Sequence, residues 1–295
     1  MSASSNSRRV PSVLSIAGSD SGGGAGIQAD LKAFARVGVH GMTAITAITW
    51  QNTRAVEGVT PLPREAIIGQ VKAVAEDIGV DAVKIGMLGT VEIIGAVAEA
   101  LELVGDAPVV LDPVMVAESG ARLLELDAVE ALVSAIVPRA TVITPNLEEA
   151  RTLVETAGGP PGLESRDLAR AIGALGPPFV VVTGGHSVDA DATQATDLFF
   201  DGERLLEITG PRHQGGAAHG SGCTHASALA AYLALGFDPL EAARRAKRLA
   251  SDAVRDGLRE LGAGAGPVDV FGLASKPSVP GSPQETQTRA YGRKR

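Results

Sequence analysis

"DAVKIGMLGTVEIIGAVAEALELVGDAPVVLDPVM" (residues 81–115) decides the reading of the fold. Residues 81–88 form a short apolar run rich in β-branched side chains, and residues 108–115 form another, stopped by Pro113. Between them, 91–105 reads as a helix. Neither strand alternates polar with apolar residues. A continuous apolar run is what a strand needs when both of its faces are covered, so strand, helix and strand make a parallel pair with a crossover.

The same pattern extends outward in both directions. Upstream, 10–18 and 41–50 read as strands, and 24–38 and 63–79 as helices. The first helix presents Ile27, Leu31, Phe34 and Ala35 on one face. Downstream, 126–138, 147–155 and 165–176 read as helices, and 140–146 and 178–185 as strands. Residues 195–210 read as a hairpin with Asp201-Gly202 as its tight turn. Two helices, 222–236 and 238–261, close the pattern. The expectation is a three-layer α/β/α domain with a mostly parallel central sheet and an antiparallel edge supplied by the hairpin. No linker-like stretch interrupts residues 11–272, so these form one domain. Residues 1–10 and 273–295 are polar, the latter also Pro-rich, and are expected to be disordered tails.

Composition narrows the function classes. The 295 residues are 45% hydrophobic but only 3% aromatic, which suits a layered α/β core. The formal net charge is −8, with no basic run before the last few residues, so a nucleic-acid surface is not expected. The N-terminus lacks the apolar core of a signal peptide, no apolar run reaches membrane-span length, and a single cysteine cannot form an internal disulfide. A cytoplasmic enzyme with no membrane or nucleic-acid partner is the expectation.

In an open α/β sheet, ligands gather outside the carboxyl ends of the strands, and five motifs fall there. "GSDSGGGAGIQAD" (18–30) follows the first strand. Its Gly24 to Ala29 segment fits a dinucleotide-binding pattern, but it begins six positions after the strand ends. The next strand ends in Gln51 and Asn52 where an acidic residue would be needed. A Walker loop is excluded for want of Gly-Lys-Ser/Thr. Such dense glycines still let a ligand or another backbone come close. Asp30 is either a surface residue of its helix or a carboxylate aimed at a ligand. "LDPVM" (111–115) puts Asp112 at the end of a buried strand, as a metal or phosphate ligand or as a turn former. In "TPNLEEA" (144–150), Asn146 and Glu149 share one helical turn. They can hold a hydrated Mg²⁺, or they can simply cap the helix. In "VVVTGGH" (180–186), Gly184 and Gly185 allow close approach. The five histidines, 40, 186, 213, 219 and 225, match no zinc pattern, and His219 and His225 read as flanking a loop.

"HGSGCT" (219–224) is the fifth motif and holds the only cysteine. Gly220, Ser221 and Gly222 lead straight into a helix whose first turn carries Cys223. Unpaired N–H groups and the helix dipole converge on such a turn, which makes an anion site and should lower a thiol's pKa. The alternative is a small apolar side chain packed under the turn.

"IAGSDSGGGAGIQADLKAF", "TAITAITWQNT", "KIGML", "VVLDPVM", "TPNLEEA", "GGH" and "HGSGCT" occur in an order and spacing that resembles the hydroxymethylpyrimidine/phosphomethylpyrimidine kinase family of thiamine biosynthesis. That family belongs to the ribokinase-like kinases. The resemblance spans residues 12–272 and implies ATP and Mg²⁺ as cofactors, with a small pyrimidine as substrate and two successive phosphorylations. A homodimer is left open. It also implies roles. The glycine-rich loop from Gly18, Asp30 and Gln51 would line the pyrimidine pocket, with Met87 and Val114 as its walls. Asp112, Asn146 and Glu149 would organise the metal and the ATP phosphates, with Thr183 and Gly185 beside the nucleotide. Gly220, Ser221 and Gly222 would form the anion hole, and Cys223 would be the catalytic base. The family often has Lys where Thr183 stands and Thr where Ser221 stands. A pyridoxal kinase and a catalytically silent pyrimidine sensor are the competing readings.

Overall fold

The computed structural model describes residues 9–184 and 193–275. The expected tails therefore lie outside the described residues, except for residues 9–10 and 273–275, and so do Gly185 and His186. Leu273–Ser275 forms a short 3-10 turn.

Nine strands make one sheet among the described residues. In chain order they are β1 (Ser12–Asp20), β2 (His40–Gln51), β3 (Val56–Pro61), β4 (Ala82–Ile85), β5 (Val109–Leu111), β6 (Val142–Ile143), β7 (Phe179–Val182), β8 (Gln194–Phe200) and β9 (Leu205–Pro211). The spatial order is β3-β2-β1-β4-β5-β6-β7-β8-β9. In that order, the six from β2 through β7 run parallel, as expected. The hairpin β8–β9 supplies the antiparallel edge that the sequence predicts. Its turn centres on Gly202 and Glu203, one residue beyond the expected pair. Asp201 closes the turn instead, its carboxylate accepting from the N–H groups of Glu203 and Arg204.

A second antiparallel edge, β3, was not expected. "VEGVTP" is too polar to read as a strand, because its outer side faces solvent. It pairs with β2 so that Trp50 lies opposite Gly58, and a Cβ at Gly58 would run into the indole. Trp50 is 60% exposed.

Among the described residues, eight α-helices cover the sheet: α1 (Gly26–Val37), α2 (Arg64–Asp77), α3 (Val91–Ala100), α4 (Leu126–Ala135), α5 (Leu147–Thr156), α6 (Ser165–Gly173), α7 (Ser221–Ala234) and α8 (Pro239–Arg255). The continuous apolar strands have the reason the sequence suggested. On β1, Val13 belongs to the core under α1, α7 and α8, while Leu14 and Ile16 belong to the core under α2 to α6. On β5, Val110 faces the first core, and Val109 and Leu111 the second. Each fully buried Leu, Ile or Phe of this kind contributes roughly 1.5–3 kcal/mol.

α7 is built almost wholly of small buried residues, among them Ala226, Ala228, Ala230 and Ala231. These let it lie close to the sheet between α1 and α8. The last helix ends at Arg255, six residues before the expected boundary. At Gly257 a Cβ would press on Ala217, and the chain beyond folds back to offer the N–H of Ala263 and Gly264 to Thr53 Oγ1.

The chain runs β1 to β2 on one side and then crosses to β4 on the other. The strand order therefore reverses beside β1, and a crevice opens outside the carboxyl ends of β1 and β4.

Candidate active site

That crevice is a cavity of about 600 Å³. Gly18, Gln51, Met87, Asp112, Val114, Asn146, Glu149, Thr183, Gly220, Ser221, Gly222 and Cys223 all line it. Residues from across the sequence thus come together on one surface. The one described candidate that does not reach it is Asp30.

Two backbone turns form the middle of the site. The first is the glycine loop after β1. The Asp20 carboxylate organises it, taking hydrogen bonds from the N–H groups of Gly22 (2.8 Å), Gly24 (2.9 Å) and Ala25 (2.8 Å). The second is the turn at 218–223 that starts α7. Gly220 adopts φ +82, and a Cβ there would collide with the Gly24 carbonyl oxygen. A Cβ at Gly24 would in turn strike the His219 ring. The glycines at these two positions are therefore needed because two loops interlock. In the second turn, the Ser221 N–H bonds Ala218 O and the Thr224 N–H bonds Gly220 O. The N–H groups of Gly222 and Cys223 have no partner among the described residues and stand at the positive end of α7. Two unpartnered N–H groups at a helix start are the arrangement on which the sequence-based expectation of an anion site rests.

Asp30 corrects the sequence-based assignment. It lies beneath the floor of the cavity, 0% exposed, as the hub of a closed polar network. Its carboxylate accepts from Ser15 Oγ on β1 (2.6 Å), Ser227 Oγ on α7 (2.7 Å) and Lys84 Nζ on β4 (3.0 Å). Helical spacing alone could not distinguish inward burial in a network from a reach into the pocket. Lys84 is the main residue missed. It sits fully buried inside the four-residue strand AVKI and also faces Asp112 Oδ2 at 3.8 Å. Burial opposes its charge, but Asp30, Cys223 and Asp112 outweigh that and hold its pKa above the ordinary value. A lysine in the middle of a doubly covered apolar strand was the signal available for it.

Asp112 and Glu149 occupy the opposite side of the site. Asp112 Oδ2 is buried without a hydrogen-bond partner among the described residues. Burial pushes the Asp112 carboxyl up to about 6 against the pull of Lys84. Burial, with Asp112 adding to it, pushes Glu149 up to about 8. Asn146 and Glu149 do form a capping box: Asn146 Oδ1 accepts from the N–H groups of Glu148 and Glu149, and Glu149 accepts from the Asn146 N–H. The capping alternative is thus realised, and both residues also line the cavity, where the metal-holding role of the other alternative would be exercised. The Thr183 N–H is spent on Pro145 O (2.9 Å).

Beyond Thr183 lies a second cluster that the sequence did not reveal. Asp197 accepts from Lys247 Nζ (2.6 Å) and from the Gly184 N–H (2.9 Å). His225 stands inside α7 rather than beside a loop, and neither ring nitrogen has a hydrogen-bond partner among the described residues. Burial holds its pKa below the usual histidine value despite Asp197, so the ring is neutral.

The expectation for Cys223 is overturned in sign. The helix start does not leave its thiol acidic. Burial pushes it up to about 12, with Asp112 and Asp30 adding to the rise and Lys84 opposing it. The thiol lines the cavity and is half-buried, and desolvation of the thiolate outweighs the helix end. At the far end of the cavity, Gln51 follows exposed Trp50 and directs its amide toward Thr49 Oγ1 (3.5 Å). Met87 and Val114 supply the apolar walls there.

Comparison with known proteins gives a consistent picture. The family model described as phosphomethylpyrimidine kinase matches residues 20–269. A hydroxymethylpyrimidine/phosphomethylpyrimidine kinase of Rhizobium meliloti is 48% identical over 259 residues, covering 88% of this chain and 96% of that protein. The pyridoxal kinase of Staphylococcus aureus in complex with ADP superposes with a TM-score of 0.79 at 38% identity, over 89% of this chain and 94% of that one. The phosphomethylpyrimidine kinase of Clostridium difficile superposes with a TM-score of 0.67, also at 38% identity, over 80% of this chain and 97% of that one.

Proposed function

The chain belongs to the phosphomethylpyrimidine kinase family and is an ATP-dependent kinase of ribokinase-like fold, and we propose that it phosphorylates 4-amino-5-hydroxymethyl-2-methylpyrimidine and then its monophosphate, giving the pyrimidine diphosphate for thiamine biosynthesis. The observation that carries this reading is the pair of unspent N–H groups at Gly222 and Cys223 in one cavity of about 600 Å³ that Met87 and Val114 line together with Asp112 and Glu149.

In phosphoryl transfer the protein's task is positioning and charge neutralisation rather than covalent chemistry. The Gly222 and Cys223 N–H groups and the α7 dipole receive the charge of the transferring phosphoryl group. Gln51, with one donor and one acceptor, reads the edge of the aminopyrimidine, while Met87 and Val114 enclose the ring. Cys223, beside the anion turn, takes the proton of the attacking hydroxyl.

The residues present fit Mg²⁺. Asp112 has an orphaned buried oxygen, and Glu149 is close enough for the Asp112 charge to raise its pKa. Among the described residues no three metal-ligating side chains cluster, as befits a cation that keeps most of its waters and binds phosphate. Asp112 and Glu149 would hold it, with Asn146 ordering the turn. Held by these residues, the cation would supply neutralisation of phosphate charge and would offset the Asp112 charge that opposes a Cys223 thiolate.

ADP release measured with Mg-ATP and each alcohol in turn tests the reading. Turnover is expected with the hydroxymethylpyrimidine and with its monophosphate. The superposition on pyridoxal kinases favours pyridoxal as the second candidate, and preference for pyridoxal would replace the reading with that one. Failure to release ADP with every alcohol, despite tight pyrimidine binding, would leave a sensor. Cys223→Ala should lower kcat by about two to three powers of ten with an unchanged fold. Because the thiol is pushed up to about 12, iodoacetamide labelling of Cys223 in the ligand-free protein should keep rising beyond about pH 10. A plateau near neutral pH would contradict the burial argument.

A further inference from the structure

The glycine loop and the anion turn come from opposite ends of the chain, and one side-chain pair joins them. Asp20, the last residue of β1, is 2% exposed, and His219, within the turn at 218–223, is 8% exposed. His219 Nε2 lies 3.2 Å from Asp20 Oδ2. The same carboxylate already holds the N–H groups of Gly22, Gly24 and Ala25, so it draws loop and turn onto a single oxygen pair. His219 is fixed from behind, where its carbonyl accepts the Val268 N–H at 3.1 Å. Gly24 and Gly220 leave just enough room for the imidazole and the Gly24 carbonyl to fit between loop and turn. The loop then continues into Gly26, whose N–H bears on the Cys223 sulfur.

We propose that Asp20 and His219 are a positioning pair that sets the glycine loop at a fixed distance from the anion turn, and so governs turnover more than the binding of either substrate. The physical ground is the steep dependence of transfer on alignment. A misplacement of about 1 Å can cost about 100-fold in rate while ground-state contacts survive. Neither side chain needs to touch a reacting atom for this. The inference rests on the kinase reading of the same site.

The test compares His219→Leu with His219→Gln, whose amide N–H can still reach the Asp20 carboxylate. His219→Leu should lower kcat about tenfold or more, with both KM values within about twofold of wild type. His219→Gln should recover most of that loss. A purely structural role would lower Tm in both variants and leave kcat of the folded protein unchanged. The second readout needs no turnover: in His219→Leu the loosened turn should make iodoacetamide label Cys223, the only thiol in the chain, about threefold faster or more at fixed pH. Wild-type protein that phosphorylates no alcohol would break the kinase reading, while the labelling difference would still judge the pair. Wild-type kcat and labelling in His219→Leu would overturn the proposal, and so would equal losses in Leu and Gln. If His219→Leu does not fold, Asp20→Asn carries the same expectations for both readouts.

Discussion

Lys84 stands between two carboxylates whose circumstances are opposite. On one side, Asp30 is fully buried and fully satisfied, with Ser15, Ser227 and Lys84 all bonded to it. On the other, Asp112 is nearly as buried, yet one of its oxygens has no hydrogen-bond partner among the described residues, and Lys84 Nζ stands 3.8 Å from it. A closed polar network holds elements together, and here it ties β1, α1, β4 and α7 together. An open one, bordering a cavity, carries a desolvation cost that a ligand can relieve. The same residue type, on the other side of one lysine, is architecture in the first case and equipment in the second.

The most severe way to break this comparison is Lys84→Met. It strands the Asp30 charge in the core, and the expected loss is about 3–5 kcal/mol of stability, read as Tm and denaturant midpoint. If Lys84→Met melts like wild type, Asp30 is not the closed hub described. Next is Asp112→Asn, which should do the reverse. Activity should fall by about 10²–10³ in kcat, because the charge that faces the phosphates is gone, while Tm holds or rises slightly as a buried charge is relieved. Loss of stability without loss of kcat would place Asp112 with the architecture. The mildest change, Gln51→Leu, sharpens the boundary of the site rather than its centre. It should raise the pyrimidine KM about tenfold, leaving the ATP KM and Tm nearly unchanged, since one buried edge loses its partner.

Much of this is legible in the amino-acid sequence. The fold class follows from strands such as 108–115 that are apolar on both faces. The motifs at 18–30, 111–115, 144–150 and 219–224 fall at strand or loop ends, where an open α/β sheet gathers its ligands. The rest is hidden for identifiable reasons. β3 is an edge ribbon with one wet side, so its sequence lacks the apolar run that marks its neighbours. Asp30 and Lys84 are paired across 54 positions in sequence, and neither announces the other. Nothing in the sequence singles out Asp20 until the loop closes around its carboxylate. The Cys223 thiol shows the limit most clearly. Its helix-start position is visible in the sequence, but the desolvation that outweighs it depends on which elements pack over the turn.

The β2–β3 ribbon has a further use. The indole of Trp50 lies more than half in solvent across Gly58, next in sequence to Gln51 of the cavity lining, and it is the only tryptophan in the chain. Its emission therefore comes from one location, unmixed with any other indole. Because Trp50 is next in sequence to Gln51, a residue of the cavity lining, a change in its emission on adding the pyrimidine is expected to report binding without a label, quite apart from whether phosphate is ever transferred.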